Sequence, residues 1–401
     1  MKNLELPTAE VSEISPEDRE YLRSASEREQ QLPLEVEPNT TLRVKIGDRC
    51  GLTCTFCHNE GTLVASDYKD EETGVDGRLP ILDRPGKSGR VSVYSQTSGV
   101  DFLPGVMQPD QEFTESITTL GETLGLDELH ITGGEPTLHP NVDKLIKIGT
   151  DQGFTVKMTS NGERFHRIAA DCAEAGLSAV NFSIFGTTAD ELAQVQHERF
   201  QSIPLAEAKI EALHQSILAA HENGVKARAN IVIPSSDHAE RVYRLMDEFG
   251  DKLDLRLLNS LEDGEQSYLA IYRILDRLNA TPVSHNVTAG SSNSRTTYKL
   301  PDGQSIKFKK IRKVHLPETC GDCQFKQDNS CEEGFYGVRL YVDTDETYRA
   351  GVCIQRMDLT LPLDEFMNSD YPEEIAQLNQ RDRRELETSI GLVTLQSNSR
   401  A

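Results

Sequence analysis

The sequence predicts an α/β protein: a partial (β/α)6 parallel barrel over residues 41–278, a small α+β domain over residues 279–401, and an acidic arm over residues 1–40 in front. Three observations predict this. Six short apolar runs, Leu42–Ile46, Glu128–Thr132, Thr155–Thr159, Ala179–Ile184, Ala227–Ile233 and Leu253–Leu258, read as buried parallel strands. Helical segments lie between most of them, which makes repeated βα units and a parallel barrel rather than an antiparallel sandwich. After about Asn279 the pattern changes to hairpin chemistry.

The arm is charged and carries Pro7, Pro16, Pro33 and Pro38; one short helix is expected from Ser15-Pro16-Glu17-Asp18, an N-cap followed by proline in the first turn. The first strand runs into a loop offering Cys50, Cys54 and Cys57 in C-x3-C-x2-C spacing, with Phe56 before the last. Three thiolates this close can hold three corners of an iron–sulfur cube and leave the fourth iron open. A zinc ribbon needs two separated C-x2-C pairs, and a disulfide framework would leave one thiol over. Residues 63–111 form a long connection rich in Gly, Ser and Asp, either a lid or disorder. Within it Arg90 to Tyr94 alternates like a short strand.

The helix expected from Pro140 to Gln152 stops before Gly153, and the one from Leu205 to Asn223 ends at Gly224. In parallel barrels chemistry collects at the carboxyl ends of the strands. The second strand ends in Gly133-Gly134-Glu135-Pro136, where two glycines permit close backbone approach and Glu135 offers an acceptor for an ammonium. The third ends in Ser160-Asn161-Gly162, suited to ribose hydroxyls or to capping a helix. The fourth presents Asn181 and Ser183. The fifth presents Arg228 and Asn230, with Arg228 either a ligand contact or a surface strand residue. Cys172, within an expected helix, reads as a buried apolar residue.

The formal charge of −23 excludes the basic footprint of bulk nucleic-acid binding, while leaving room for a local basic pocket. No stretch approaches a membrane span, and the polar, acidic first residues carry no apolar export segment. Eight cysteines in two groups plus Cys172 suit metal ligation in a reducing cytoplasm.

The cysteine loop followed one strand later by Gly133-Gly134-Glu135 resembles the radical S-adenosylmethionine (radical SAM) enzymes, over roughly Leu42 to Asn259. The resemblance implies a catalytic [4Fe–4S] cluster on Cys50, Cys54 and Cys57. Its open iron is chelated by S-adenosylmethionine, which is cleaved reductively to a 5′-deoxyadenosyl radical. It also implies cofactor contacts from Gly133, Gly134 and Glu135 to the methionyl amino group, and from Ser160, Asn161, Ser183 and the strand of Arg228.

In the carboxyl-terminal region, Thr296–Leu300 and Ser305–Val314 flank a Pro301-Asp302-Gly303 turn. Cys320-x2-Cys323, Cys331 and Cys353 follow, a set that could hold zinc or a second [4Fe–4S] cluster. The arrangement resembles the auxiliary-cluster ("twitch"-type) region of the molybdenum-cofactor GTP cyclases. Arg43 and Arg339 would then match substrate arginines of that branch, which implies a phosphorylated or nucleotide-like small substrate. Departures are Gly337 in place of the first arginine of an R-L-R strand, the extra thiol of Cys331, and an ending of Ser399-Arg400-Ala401 instead of a double glycine.

The basic run Lys307, Lys309, Lys310, Arg312 and Lys313 reads as an edge strand blunted with lysine or as a phosphate- or carboxylate-binding cluster. The loop Ala289 to Arg295 is a linker or a substrate loop. The function expected is radical cyclisation or carbon–carbon bond formation in biosynthesis, with an electron donor such as flavodoxin or ferredoxin as partner. A peptide-modifying radical SAM maturase and a non-catalytic iron–sulfur or zinc scaffold remain the alternatives. Nothing in the sequence sets the oligomeric state.

Overall fold

The computed structural model describes residues 14–54, 105–196, 200–261, 263–327, 331, 333–343, 345–354 and 356–398. Cys57, the strand expected at 90–94 and most of the 63–111 connection lie outside the described residues.

Helix α1 (Pro16–Gln30) starts where the N-cap was expected, with Ser15 Oγ accepting from the Asp18 amide at 3.1 Å. Strands β1 (Leu34–Glu37) and β2 (Thr41–Lys45) follow. The βα repeats are α2 (Gln111–Leu124), β3 (Glu128–Thr132), α3 (Val142–Asp151), β4 (Thr155–Ser160), α4 (Ala169–Glu174) and β5 (Ala179–Ile184). They continue through α5 (Ala189–Gln194), α6 (Ile203–Glu222), β6 (Lys226–Ile233), α7 (Ala239–Phe249), β7 (Asp254–Asn259) and α8 (Gly264–Arg277). The remainder comprises β8 (Thr281–Thr288), β9 (Asn293–Lys299), β10 (Ser305–Ile311), α9 (Gln324–Gln327), β11 (Arg339–Val342), β12 (Tyr348–Gly351), β13 (Leu361–Pro362), α10 (Leu363–Asn368) and α11 (Tyr371–Asn398).

Strands β2 to β7 are six consecutive parallel neighbours, the partial barrel expected, and each begins and ends within one residue of its apolar run. Strands after residue 279 continue the same sheet at both edges. Strand β10 pairs parallel with β7 and antiparallel with β9, while β11 pairs parallel with β2. The hairpin expected over 296–314 is therefore present as β9 and β10.

One face of each barrel strand is apolar and packed under helices: Leu42 and Val44, Leu129 and Ile131, Val156 and Met158, Val180 and Phe182, Ala229 and Ile231, Leu255 and Leu257. Cys172 is buried there as expected, and burial pushes its thiol up to about 12. The period of two sends the intervening residues to the barrel interior, where they are polar or charged. That contrast of faces builds the site.

Helix α1 of the arm is anchored to the sheet and to α8. Glu29 of α1 is buried, accepts from the Tyr272 hydroxyl at 2.9 Å and from the Tyr298 hydroxyl at 2.5 Å, and pairs with Lys310. At the other end Asp382 of α11 accepts from the Gly290 amide at 2.6 Å and from Arg312 at 2.8 Å, fixing the 289–295 loop. No helix among the described residues is long and apolar enough to cross a membrane.

Candidate active site

The loop after β2 is built onto the end of β3 by main-chain contacts. The Gly134 amide donates to Gly47 O at 2.8 Å, and the Glu135 amide to Arg49 O at 2.6 Å. A Cβ on Gly133 would lie 2.6 Å from Gly47 O, and one on Gly134 would lie 2.2 Å from Asp48 O, so both positions require glycine.

Glu135 is only 3% exposed, and its carboxylate accepts four hydrogen bonds. The donors are the Thr137 amide at 3.1 Å, Thr137 Oγ1 at 2.6 Å, Ser160 Oγ at 2.7 Å and the Asn161 amide at 2.6 Å. Burial raises its pKa, with the four donors working in the opposite direction. The carboxylate thus ties the ends of β3 and β4 together. Ser160 Oγ also accepts from the Gly162 amide at 3.0 Å, so Ser160 braces this junction.

Two of the three loop cysteines fall within the described residues. Cys50 Sγ has the Leu52 amide at 3.5 Å and Asn161 Nδ2 at 3.7 Å, and the buried Cys54 Sγ has Gln196 Nε2 at 3.5 Å. Gln196 also accepts from the Thr53 amide at 2.7 Å, and Glu163 accepts from the Gly51 amide at 2.9 Å. Thiols ringed by N–H donors fit cluster ligation, because such donors stabilise charge on the ligating sulfur. None of the described cysteines forms a disulfide.

The interior wall carries the remaining expected residues. Ser183 pairs in register with Asn230, and Arg228 with Asn181 and Asp254. Arg228 points into the barrel between the core residues Ala227 and Ala229, so it is not a surface strand residue. Among the described residues its Nε and the Asn230 Oδ1 are buried with no hydrogen-bond partner, polar atoms that a bound ligand would satisfy. Arg339 on β11 sits opposite Arg43 on β2.

Sequence reading missed the centre of this wall. His130 Nε2 lies 2.8 Å from Thr159 Oγ1 and 3.4 Å from Asn181 Nδ2, and Arg256 Nη1 donates to Asn181 Oδ1 at 3.2 Å. Burial, then Arg43 and Arg256, hold His130 well below its usual pKa, so it is neutral. The basic run is no edge strand: β10 lies inside the sheet, and its lysines divide between two faces. Lys307 and Lys309 face the barrel, while Lys310 pairs with Glu29 on the opposite face and Arg312 pairs with Asp382. Burial first, and neighbouring guanidinium groups second, bring Lys307 down to about 8, Lys309 to about 7 and Arg256 to about 10. The alternation Ile306-Lys307-Phe308-Lys309 was the available signal for an inward lysine pair.

The second cysteine group converges. Cys320, Cys323, Cys331 and Cys353 line one cavity together with His315 and Arg356. Burial, then the other three thiols, push Cys320 up to about 11, and Arg356 Nη1 stands 3.9 Å from Cys323 Sγ. Glu374 of α11 holds the loop before Cys320, accepting from the Glu318 and Thr319 amides at 2.7 and 2.9 Å. Among the described residues no three His, Cys, Asp or Glu side chains are placed to share one metal ion. Zinc would need its thiolates about 2.3 Å from a common centre.

The Radical SAM superfamily profile matches residues 44–249, a little over half of the chain. The chain belongs to the radical SAM superfamily. It is a radical SAM enzyme, whose family implies S-adenosylmethionine and a [4Fe–4S] cluster. A probable GTP 3′,8-cyclase of Aeropyrum pernix is 26% identical over 293 residues, covering 71% of this chain and 70% of the relative. A probable GTP 3′,8-cyclase of Metallosphaera sedula is 24% identical over 331 residues, covering 81% and 87%. Among solved structures, Streptococcus suis SuiB bound to S-adenosylmethionine aligns with a TM-score of 0.39 at 14% identity, covering 69% of this chain and 58% of that one. The radical SAM enzyme described here therefore spans less than two thirds of SuiB.

Proposed function

We propose that this radical SAM enzyme acts on a small anionic substrate, phosphorylated or nucleotide-like, held inside the barrel, and promotes cyclisation or carbon–carbon bond formation in biosynthesis. The observation that carries this reading is a cationic barrel interior, with Arg43, Arg228, Arg256, Lys307, Lys309 and Arg339, in a chain of net charge −23. Concentrating positive charge in a low-dielectric cleft of an acidic protein favours one sign of ligand.

When bound and reduced, S-adenosylmethionine supplies a 5′-deoxyadenosyl radical that takes hydrogen from a substrate C–H bond. The chain's own residues have positioning roles. Cys50, Cys54 and Cys57 would hold the cluster. Gly133, Gly134 and Glu135 would receive the methionyl amino group; three of the four donors to the Glu135 carboxylate reach Oε1, and Oε2, with the Asn161 amide alone, keeps accepting capacity. Ser160 and Asn161 set that seat, and Ser183, Asn230 and Arg228 face the remainder of the cofactor and the substrate.

Cys320, Cys323, Cys331 and Cys353 would hold a second [4Fe–4S] cluster. Their convergence around one cavity is the observation behind this assignment. Flavodoxin or ferredoxin would supply the electron.

The test is 5′-deoxyadenosine formation by the anaerobically reconstituted, reduced enzyme with matched nucleosides and nucleotides. Stimulation by a phosphorylated compound, and not by its nucleoside, is expected. Equal stimulation by the uncharged partner would remove the anionic-substrate reading.

A further inference from the structure

We propose that Gln196 is a positioning residue for the catalytic cluster: its side-chain amide donates to Cys54 Sγ and raises the cluster's reduction potential. The assignment rests on Cys54 being a ligand of that cluster, as proposed above.

Gln196 follows α5 by two residues, and no motif of the sequence marks it. It is buried, and an antiparallel bridge joins its main chain to that of Cys54. Its Oε1 accepts from the Thr53 amide at 2.7 Å and from Thr53 Oγ1 at 3.3 Å. A main-chain N–H can only donate, so the atom it meets is the amide oxygen, and the other end of the side chain carries the NH2. That end, Nε2, stands 3.5 Å from Cys54 Sγ. Leu52, Leu192, Ala193 and Ala206 share one apolar cluster with Cys54. Asn161 turns Nδ2 towards Cys50 Sγ from 3.7 Å, and shares it with Glu163 Oε1 at 3.3 Å. Gln196 makes the shorter contact of the two.

A buried amide is costly unless both of its ends are paired. A neutral thiol is a weak acceptor and a thiolate a strong one, so the Gln196 N–H is best satisfied by the ligating form of Cys54. The apolar surroundings strengthen that bond. An electron from a low-potential donor adds negative charge that the ligating sulfurs share. An N–H aimed at such a sulfur therefore stabilises the reduced form more than the oxidised one, and the potential rises. The expected contribution is about tenfold in the reduction equilibrium, or about 59 mV for a one-electron couple. With Gln196 in place, a given reductant reduces a larger fraction of the enzyme.

The experiment uses the anaerobically reconstituted full chain, with glutamine isotopically labelled at the side-chain nitrogen. It is titrated with dithionite before S-adenosylmethionine is added and followed by electron paramagnetic resonance, the catalytic cluster being recognised by the signal that C54S lacks. Q196M removes the donor, whereas Q196E keeps an oxygen for the Thr53 amide and sets a second oxygen against the sulfur. Both should load iron as wild type does and be about tenfold harder to reduce. Q215M, altered at an exposed amide that donates to Glu211, should match wild type. Pulsed spectra of wild type should show a nitrogen coupling that Q196M lacks, which a purely structural role would not give. Unshifted potentials in both variants would overturn the proposal. So would the absence of a nitrogen coupling in wild type, a result that stands even if the variants fail to load iron. Weaker S-adenosylmethionine binding by Q196M at an unchanged potential would make Gln196 a cofactor contact and overturn it too. Full iron and an unaltered spectrum in C54S would sink the ligand assignment of the proposed function together with this one. An unshifted potential beside an iron-poor C54S sinks this one alone.

Discussion

Replacing Gly134 with alanine strikes the contact between the cysteine loop and the strand that seats it. The added Cβ would lie 2.2 Å from Asp48 O and 2.5 Å from Arg49 O. Comfortable C···O contacts begin near 3.3 Å, so the loop must retreat by about 1 Å. Both atoms belong to main chain and cannot swing aside as a side-chain tip would. The retreat breaks or stretches the Gly134 amide bond to Gly47 O and the Glu135 amide bond to Arg49 O. At about 1 kcal/mol net each, plus the steric strain, G134A should destabilise by about 2–4 kcal/mol. An ångström of misplacement at the cysteines should lower 5′-deoxyadenosine formation by about a hundredfold. Gly47 supplies the control, because a Cβ there would meet nothing nearer than Val106 Cγ2 at 4.0 Å. Iron, labile sulfide and product are measured on both variants. G47A should retain all three, and a G134A protein with full iron and full activity would refute the reasoning.

Other outcomes follow from the same geometry. E135Q presents an amide N–H to donors that now meet a carboxylate, and denaturant unfolding should show a loss of about 1–3 kcal/mol. Serine at Cys320 or Cys353 should remove about four irons per chain while leaving the first cluster's signal, as read by iron analysis and electron paramagnetic resonance. The Lys309 pKa lies near 7 in the fold against about 10.4 in the unfolded chain, so between those values the unfolded state binds more protons. Stability of ligand-free protein should therefore rise with pH from about 7 towards 10, by at most about 1.4 kcal/mol per pH unit from this group. Melting curves of K309M should lack that increment.

The barrel was legible because its strands are buried on the helix face by Val, Ile and Leu, giving runs that begin and end within a residue of the observed strands. Gly133-Gly134 was legible because it obeys a local constraint of backbone approach, and the cysteine spacing pointed to the superfamily whose profile matches residues 44–249. The interior wall was not. Arg256 and Lys309 come from strands far apart in sequence, and only the sheet order, β10 beside β7, brings them together. The sequence could not distinguish β10 from an edge strand, since its edge or interior place depends on where β9 and β7 pair. Glu135 shows a different limit. Its residue type offered an acceptor for a ligand and gave no sign of the four hydrogen bonds it accepts from Thr137, Ser160 and Asn161, two of them from the next strand's end. The arm's helix was legible from its N-cap and proline, whereas its anchoring was not: Glu29 finds Tyr272, Tyr298 and Lys310 more than two hundred residues away.

The most direct test of the central claim is electron paramagnetic resonance of the reduced enzyme lacking its second cysteine group, recorded before and after S-adenosylmethionine is added. The account predicts a [4Fe–4S] signal that changes shape on addition, with 5′-deoxyadenosine accumulating, and no such signal in C54S. A fully loaded cluster whose spectrum ignores S-adenosylmethionine, with no product formed, would contradict it.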